Sequence, residues 1–255
     1  MTQVGQATEG WRLDRLLANR RWWFGSQPFP HVVARQVFVP AFYERLVSAF
    51  EAALPRDDAA AYNAKHDFTG LSLRSGTRGP LSFFLSREWH DLFAGLFGIE
   101  TSGQVAAGLH RHVPGSRNGF PHNDIVPEDL GGLERSNEVV RLRPAGAGGR
   151  GKAHAEGRSV RAIAILFYLN NGPWRPGDGG ETGLYDHWQD PVTDAVARVP
   201  PVDNSLLAFE CSPLSYHSFI TNRTRRDSVI VFVYRTLDSY LDLWGADGLN
   251  QYADG

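Results

Sequence analysis

The sequence predicts a mainly β protein, a two-sheet β-sandwich buttressed by N-terminal helices. Three observations point there. The 27 glycines and 15 prolines among 255 residues are densest at 114–121, 144–157 and 172–183, where such residues punctuate short strands rather than long helices. Helical periodicity belongs to the first hundred residues, and beyond Gly98 the apolar pattern becomes that of strands. Two segments, Arg161–Asn170 and Ser228–Tyr234, are apolar on both alternating faces, so each has to be covered on both sides.

Along the chain, Leu13, Leu16 and Leu17 lie at helical spacing until Pro28 and Pro30 interrupt. His31–Val39 alternates as a strand. Pro40 then opens a helix over Ala41–Leu54, with Phe42, Leu46, Val47, Phe50 and Leu54 on one face and proline at the first turn, where its missing N–H costs nothing. A second helix is expected at Glu88–Phe97, stopped by Gly98. Strands follow at Gln104–Val113, Arg161–Asn170, Ser205–Phe209, Tyr216–Thr221 and Arg226–Tyr234. The Gly-, Ala- and Arg-rich stretch between Asp124 and Arg161 reads as a lid, a binding loop or a disordered segment.

Composition removes several functions. A formal net charge of −2 supplies no basic field for nucleic acid. The mixed Arg20-Arg21-Trp22-Trp23-Phe24 stretch stands alone and reads as a packing segment. The single cysteine, Cys211, excludes a disulfide framework and a cysteine-rich zinc site. No apolar run is long enough to cross a membrane and no apolar leader is visible, so a cytoplasmic protein with no nucleic-acid or membrane partner is expected. No nucleophile-elbow or phosphate-loop pattern is present.

The chemistry is concentrated in nine histidines. His122-Asn123-Asp124, if extended, places an imidazole and a carboxylate on one face, able to share a cation. His217 follows 95 positions later in an expected strand, and Arg226 and Ser228 share the face of Ile230 and Phe232 nine positions beyond it. An arginine on a core-facing side is expensive unless it meets an anion, for which its planar fork is suited.

In order, Val113-Pro114-Gly115 before His122-Asn123-Asp124, Phe167–Asn170 with the hairpin Gly179–Tyr185, Leu206–Phe209 before His217, and Arg226-x-Ser228 resemble the Fe(II)- and 2-oxoglutarate-dependent oxygenases of the prolyl-hydroxylase-like branch. The resemblance runs from about Val105 to Arg235, with Val32–Leu54 similar to that branch's strand–helix entry. It implies a double-stranded β-helix (jelly-roll, cupin-like) core over about 101–236 within one oxygenase domain spanning 1–255. Residues 1–100 would be a largely helical support and 125–160 a lid-like insertion.

The implied metal ligands and catalytic centre are His122, Asp124 and His217, holding Fe(II) with open positions for 2-oxoglutarate and O2. Arg226, helped by Ser228 and Tyr168, would bind the distal carboxylate of 2-oxoglutarate. His112 replaces a tyrosine common in the branch, and would hydrogen-bond the C1 carboxylate or a substrate, with His110 a weaker candidate on the same face. Asp124 stands where related halogenases carry a small residue, so oxygenation is expected. Substrate contacts are expected from Arg117, Asn118, Phe120, Glu138, Arg141 and Trp188, with Arg143, His154 and Arg158 further lid candidates. The implied activity is a hydroxylase oxidising an unactivated C–H bond of a small molecule, such as an amino acid or secondary-metabolite intermediate, with release of succinate and CO2. A peptidyl, prolyl-type hydroxylase is the alternative, and a non-redox metal-binding β-sandwich protein a third reading.

Overall fold

The two segments that are apolar on both faces become neighbouring central strands. The computed structural model describes residues 11–54, 62–64, 67–74, 76–129, 141–142 and 158–249. Its N-terminal part contains α1 (Leu13–Leu16), β1 (Trp23–Gly25), β2 (His31–Arg35), α2 (Pro40–Ala53), β3 (Tyr62–Asn63), β4 (Phe68–Leu73), a 3-10 turn at Pro80–Leu85 and α3 (Arg87–Phe97). Then come β5 (Gln104–His112), β6 (Glu128–Asp129), β7 (Arg141–Leu142), β8 (Arg158–Tyr168) and β9 (Thr182–Tyr185). After a short turn at Val192–Asp194 the chain ends with β10 (Ala197–Val199), β11 (Ser205–Glu210), β12 (Tyr216–Phe219), β13 (Arg226–Thr236) and α4 (Leu237–Trp244).

Two sheets form. The larger runs β1-β2-β11-β8-β13-β5-β4-β3, with β6 on β8 and β7 on β5; the smaller is β10-β9-β12. This is the jelly-roll, double-stranded β-helix arrangement. β8 and β13 sit mid-sheet, which explains their two apolar faces. One face meets the helical layer through Ile163, Ile165, Phe167, Val229, Val231 and Val233. The other meets a second core through Ala164, Leu166 and Tyr168. In the helical layer, Trp89 of α3 lies 4.8 Å from Phe93 between ring centroids, and Phe38 lies 5.1 Å from Phe167, both edge-on as aromatic quadrupoles prefer.

Both expected helices form. α2 carries proline in its first turn, and α3 is capped at one end by the Ser86 side chain and ended at the other by Gly98 at φ +65°. The first hundred residues are less helical than their sequence suggests, because β1, β3 and β4 join β2 in the large sheet. In Phe68-Thr-Gly-Leu-Ser-Leu, Gly70 lies against the Phe68 ring and Leu71 and Ser72 are both exposed, so no apolar alternation marks the strand. Helix α4 also escaped the sequence reading. Among the described residues no helix is long and apolar enough to cross a membrane.

Candidate active site

His122 and His217 are brought together by backbone. The N–H of each donates to the carbonyl of the other, at 3.1 and 2.9 Å, an isolated antiparallel bridge beside β12. The segment carrying His122 and Asp124 is therefore not the extended strand expected. Asp124 adopts φ +64°, a left-handed conformation that aspartate tolerates better than most residues, and this turn folds its carboxylate back toward both rings. His217 Nε2 lies 3.3 Å from Asp124 Oδ2, and His122 Nε2 lies 3.7 Å from Oδ1. The three donor atoms fall within 4.8 Å of one another.

The proton positions are fixed by carbonyls. His122 Nδ1 donates to the Phe120 carbonyl at 2.9 Å, and His217 Nδ1 to the Ser215 carbonyl at 3.0 Å. Since a carbonyl oxygen only accepts, both rings turn an Nε2 lone pair toward Asp124. Burial, then the neighbouring His217, pushes the His122 imidazole down to about 4, the form a metal requires. Burial alone would raise the Asp124 carboxyl, but Arg161 and the two imidazoles override it and hold it well below the ordinary range. Arg161 Nη1 donates directly to Asp124 Oδ1.

The same cavity, about 560 Å³, reaches Arg226. Arg226 is buried, and among the described residues no carboxylate lies within ion-pair distance of it. Its Nη2 donates to Thr182 Oγ1 at 3.2 Å and its Nη1 to Ser228 Oγ at 3.4 Å. Its Nε is buried without a partner, and burial pulls its pKa down. Tyr168 lies beneath, with the guanidinium 5.2 Å from its ring centroid and its hydroxyl 2.7 Å from Thr182 Oγ1. A buried cation left uncompensated calls for an anionic ligand.

A family model described as the 2OG-Fe(II) oxygenase superfamily matches residues 109–234, the stretch holding all of these side chains. The chain belongs to the 2OG-Fe(II) oxygenase superfamily. In fold it falls with the prolyl-hydroxylase-like branch. It is similar to a Pseudomonas putida prolyl-4-hydroxylase (21% identity, 80% of this chain and 92% of that one, TM-score 0.50). It is also similar to a viral collagen prolyl hydroxylase of Paramecium bursaria Chlorella virus-1, solved with 2OG (10%, 80% and 96%, 0.51). A third likeness is to a Trichoplax adhaerens prolyl hydroxylase in complex with a hypoxia-inducible-factor peptide fragment (12%, 84% and 86%, 0.50). A comparison with curated proteins finds no match. Oxygenases of this superfamily use Fe(II), 2-oxoglutarate and O2. The donor set here fits them: two imidazole lone pairs and a carboxylate suit a ferrous ion, and the unanswered Arg226 suits a dicarboxylate.

In this oxygenase His112, Arg117, Asn118 and Phe120 line the cavity. Arg117 and Asn118 also brace the fold, through the Ala64 carbonyl at 2.8 Å and the Thr221 N–H at 2.7 Å. His110 stacks on Phe68 with centroids 4.0 Å apart. Trp188, expected at the substrate, instead stands exposed on the turn after β9 and is not among the described residues that line the cavity. Glu138, Arg143 and His154 lie outside the described residues, and only the backbone of Arg141 is described, paired with Gln104. Arg158 instead donates to the Pro127 carbonyl at 3.1 Å.

Sequence reading missed Thr182 and Arg161. Thr182 follows Gly180 by two, and its parity with Leu184 on β9 was the available signal. Arg161 was hidden by an irregularity. Val233 pairs with Ile163 but Tyr234 with Arg161, so Ala162 is an extra residue. Strict alternation puts Arg161 on the helix-facing side with Ile163, and the bulge re-aims it into the cavity.

Proposed function

We propose that the protein is an Fe(II)- and 2-oxoglutarate-dependent hydroxylase of an unactivated C–H bond in a small molecule of the amino-acid or secondary-metabolite type. His122, Asp124 and His217 hold the iron. Bound iron, 2-oxoglutarate and O2 supply oxidising power that no side chain has, with succinate and CO2 as by-products. The chain's own work is placement. Carbonyl-fixed tautomers keep the two Nε2 lone pairs aimed at one point, and Arg226, with the Ser228 and Thr182 hydroxyls and Tyr168 alongside, clamps the distal carboxylate. Phe219, Leu166 and Ile230 supply apolar wall that excludes water. A cytoplasmic setting fits the free, buried Cys211.

One observation carries the reading: a cavity of about 560 Å³ joins a two-imidazole, one-carboxylate cluster to a buried guanidinium that has no carboxylate partner among the described residues. That volume lies within the roughly 300–1,000 Å³ of small-molecule sites. A peptidyl prolyl hydroxylase is the second reading, favoured by the likeness in fold to prolyl hydroxylases, one of them solved with a peptide fragment. Succinate formation by the Fe(II)-loaded protein, assayed with free amino acids and with proline-containing peptides, separates them. Turnover is expected with members of the first set. Turnover with peptides alone moves the assignment to the second reading, and failure of 2-oxoglutarate to perturb the Fe(II) absorption spectrum ends both.

A further inference from the structure

His112 ends β5 directly across the ladder from Arg226, at a position where a hydroxyl-bearing tyrosine would be a donor. An imidazole is a donor or an acceptor according to where its proton sits. His112 Nδ1 lies 3.2 Å from the backbone carbonyl of Asp67, which can only accept, so the proton is on Nδ1. Asp67 is itself tied down: its carboxylate accepts from the Tyr62 hydroxyl at 2.6 Å and the Arg117 N–H at 2.7 Å. The His112 ring is also clamped, stacked on Phe219 with centroids 3.9 Å apart and planes 13° from parallel. Burial, reinforced by Arg226 and His110, drives its pKa down to about 2, so no second proton arrives. The ring forms part of the cavity wall, and its Nε2, with no partner among the described residues, presents a lone pair.

We propose that His112 is a specificity-determining residue that accepts a hydrogen bond from an N–H or O–H group of the substrate, and is not a ligand of 2-oxoglutarate. Ionised carboxylates carry only lone pairs, and two acceptors facing each other repel. A substrate with an amide, amine or hydroxyl donor near the target carbon satisfies the ring. The inference rests on the oxygenase reading above and narrows its substrate class to donor-bearing molecules.

Long-range 1H–15N spectra of zinc-loaded protein carrying 15N-histidine test it, with His112 assigned by His112→Phe. The expected result is a protonated Nδ1 and an unprotonated Nε2, both unchanged by 2-oxoglutarate. His112→Phe, which keeps the stack on Phe219, is expected to bind 2-oxoglutarate within about twofold of the parent. As a matched pair of probes, 2-pyrrolidinone should shift the Nε2 resonance and N-methyl-2-pyrrolidinone, which lacks the donor, should not. Protonation of Nε2 on adding 2-oxoglutarate, a tenfold loss of its affinity in His112→Phe, or equal or absent shifts from the two probes would overturn the proposal. If 2-oxoglutarate binds nowhere on the parent protein, the functional reading fails instead, while the probe pair still decides the acceptor.

Discussion

A buried Arg226 guanidinium with no carboxylate partner among the described residues penalises the ligand-free protein, and the proposed anion would relieve that penalty. Replacing it by an apolar side chain of similar length separates the two effects. Arg226→Met should raise the melting temperature of the ligand-free protein. It should also weaken 2-oxoglutarate binding by about 30- to 150-fold, the equivalent of roughly 2–3 kcal/mol of charge-assisted hydrogen bonding. A variant that loses stability and affinity together would mean that Arg226 is a structural cation. His112 gives a pH signature of its own. Its folded-state pKa of about 2 lies below the ordinary 6.5, so the unfolded chain binds the extra proton first as pH falls. The stability it contributes is present above pH 6.5 and is lost progressively below it, at up to ~1.4 kcal/mol per pH unit. Urea unfolding of His112→Phe between pH 7 and pH 4 should show a visibly flatter acid limb than the parent.

At the scale of elements, β13 faces two ways. Arg226 lines the cavity with Ser228 buried beside it on the same face, while Asp227 between them is buried on the opposite side, held by Arg111 through two 2.9 Å hydrogen bonds. Arg111 also donates to the Leu54 carbonyl at 2.8 Å and pairs with Glu51 of α2 at 3.1 Å. Arg225 lies 3.3 Å from both Glu51 and Asp227. Helix α2 and its end are thus fastened to the root of the strand that carries the guanidinium. Asp227→Ala should cost about 3–5 kcal/mol, since it removes the fully buried partner of Arg111 and leaves the part-exposed Glu51 as its counter-charge, and should raise the KM for 2-oxoglutarate more than it lowers kcat. The double variant Arg111→Met, Asp227→Leu should regain most of the stability in urea unfolding. If it regains the KM as well, the ion pair does not position Arg226.

Elements with a strong period were legible in the sequence: α2 and α3 from their apolar faces and stops, β8 and β13 from apolar runs on two sides. β4 was not, because Thr69, Gly70 and Ser72 interrupt its apolar residues and Leu71 stands exposed. α4 left a usable trace in Leu237, Tyr240, Leu241 and Trp244, all packed in or against the second core. Arg161 of β8 was unreadable, since one extra residue at Ala162 inverts the alternation on which such readings depend.

For the molecule as a whole, ligation and folding are linked. The cluster joins residues 95 positions apart in sequence, so a metal and a diacid bound there stabilise the native state alone. Zn(II) with 2-oxoglutarate, each at about a hundred times its dissociation constant, should add ~2.7 kcal/mol per ligand. For a chain of this size that is a rise of roughly 5–10 °C per ligand in melting temperature. His217→Ala should abolish the metal's share, and an unchanged rise would remove His217 from the ligand set. The candidate site was legible here because its chemistry is written in rare residue types at long fixed intervals. Thr182 and Asp67 were not, because hydroxyls and turn carboxylates are common everywhere.

The opposite facing of Arg226 and Asp227 has one last consequence. Pleated strands reverse every side chain on sliding by one position. A β13 threaded a single step out of place would offer an aspartate at the proposed dicarboxylate site, and turn an arginine toward the aromatic layer beneath the helices. Such a conformer repels its own co-substrate, so correct zippering of this one ladder is a precondition for turnover as well as for solidity.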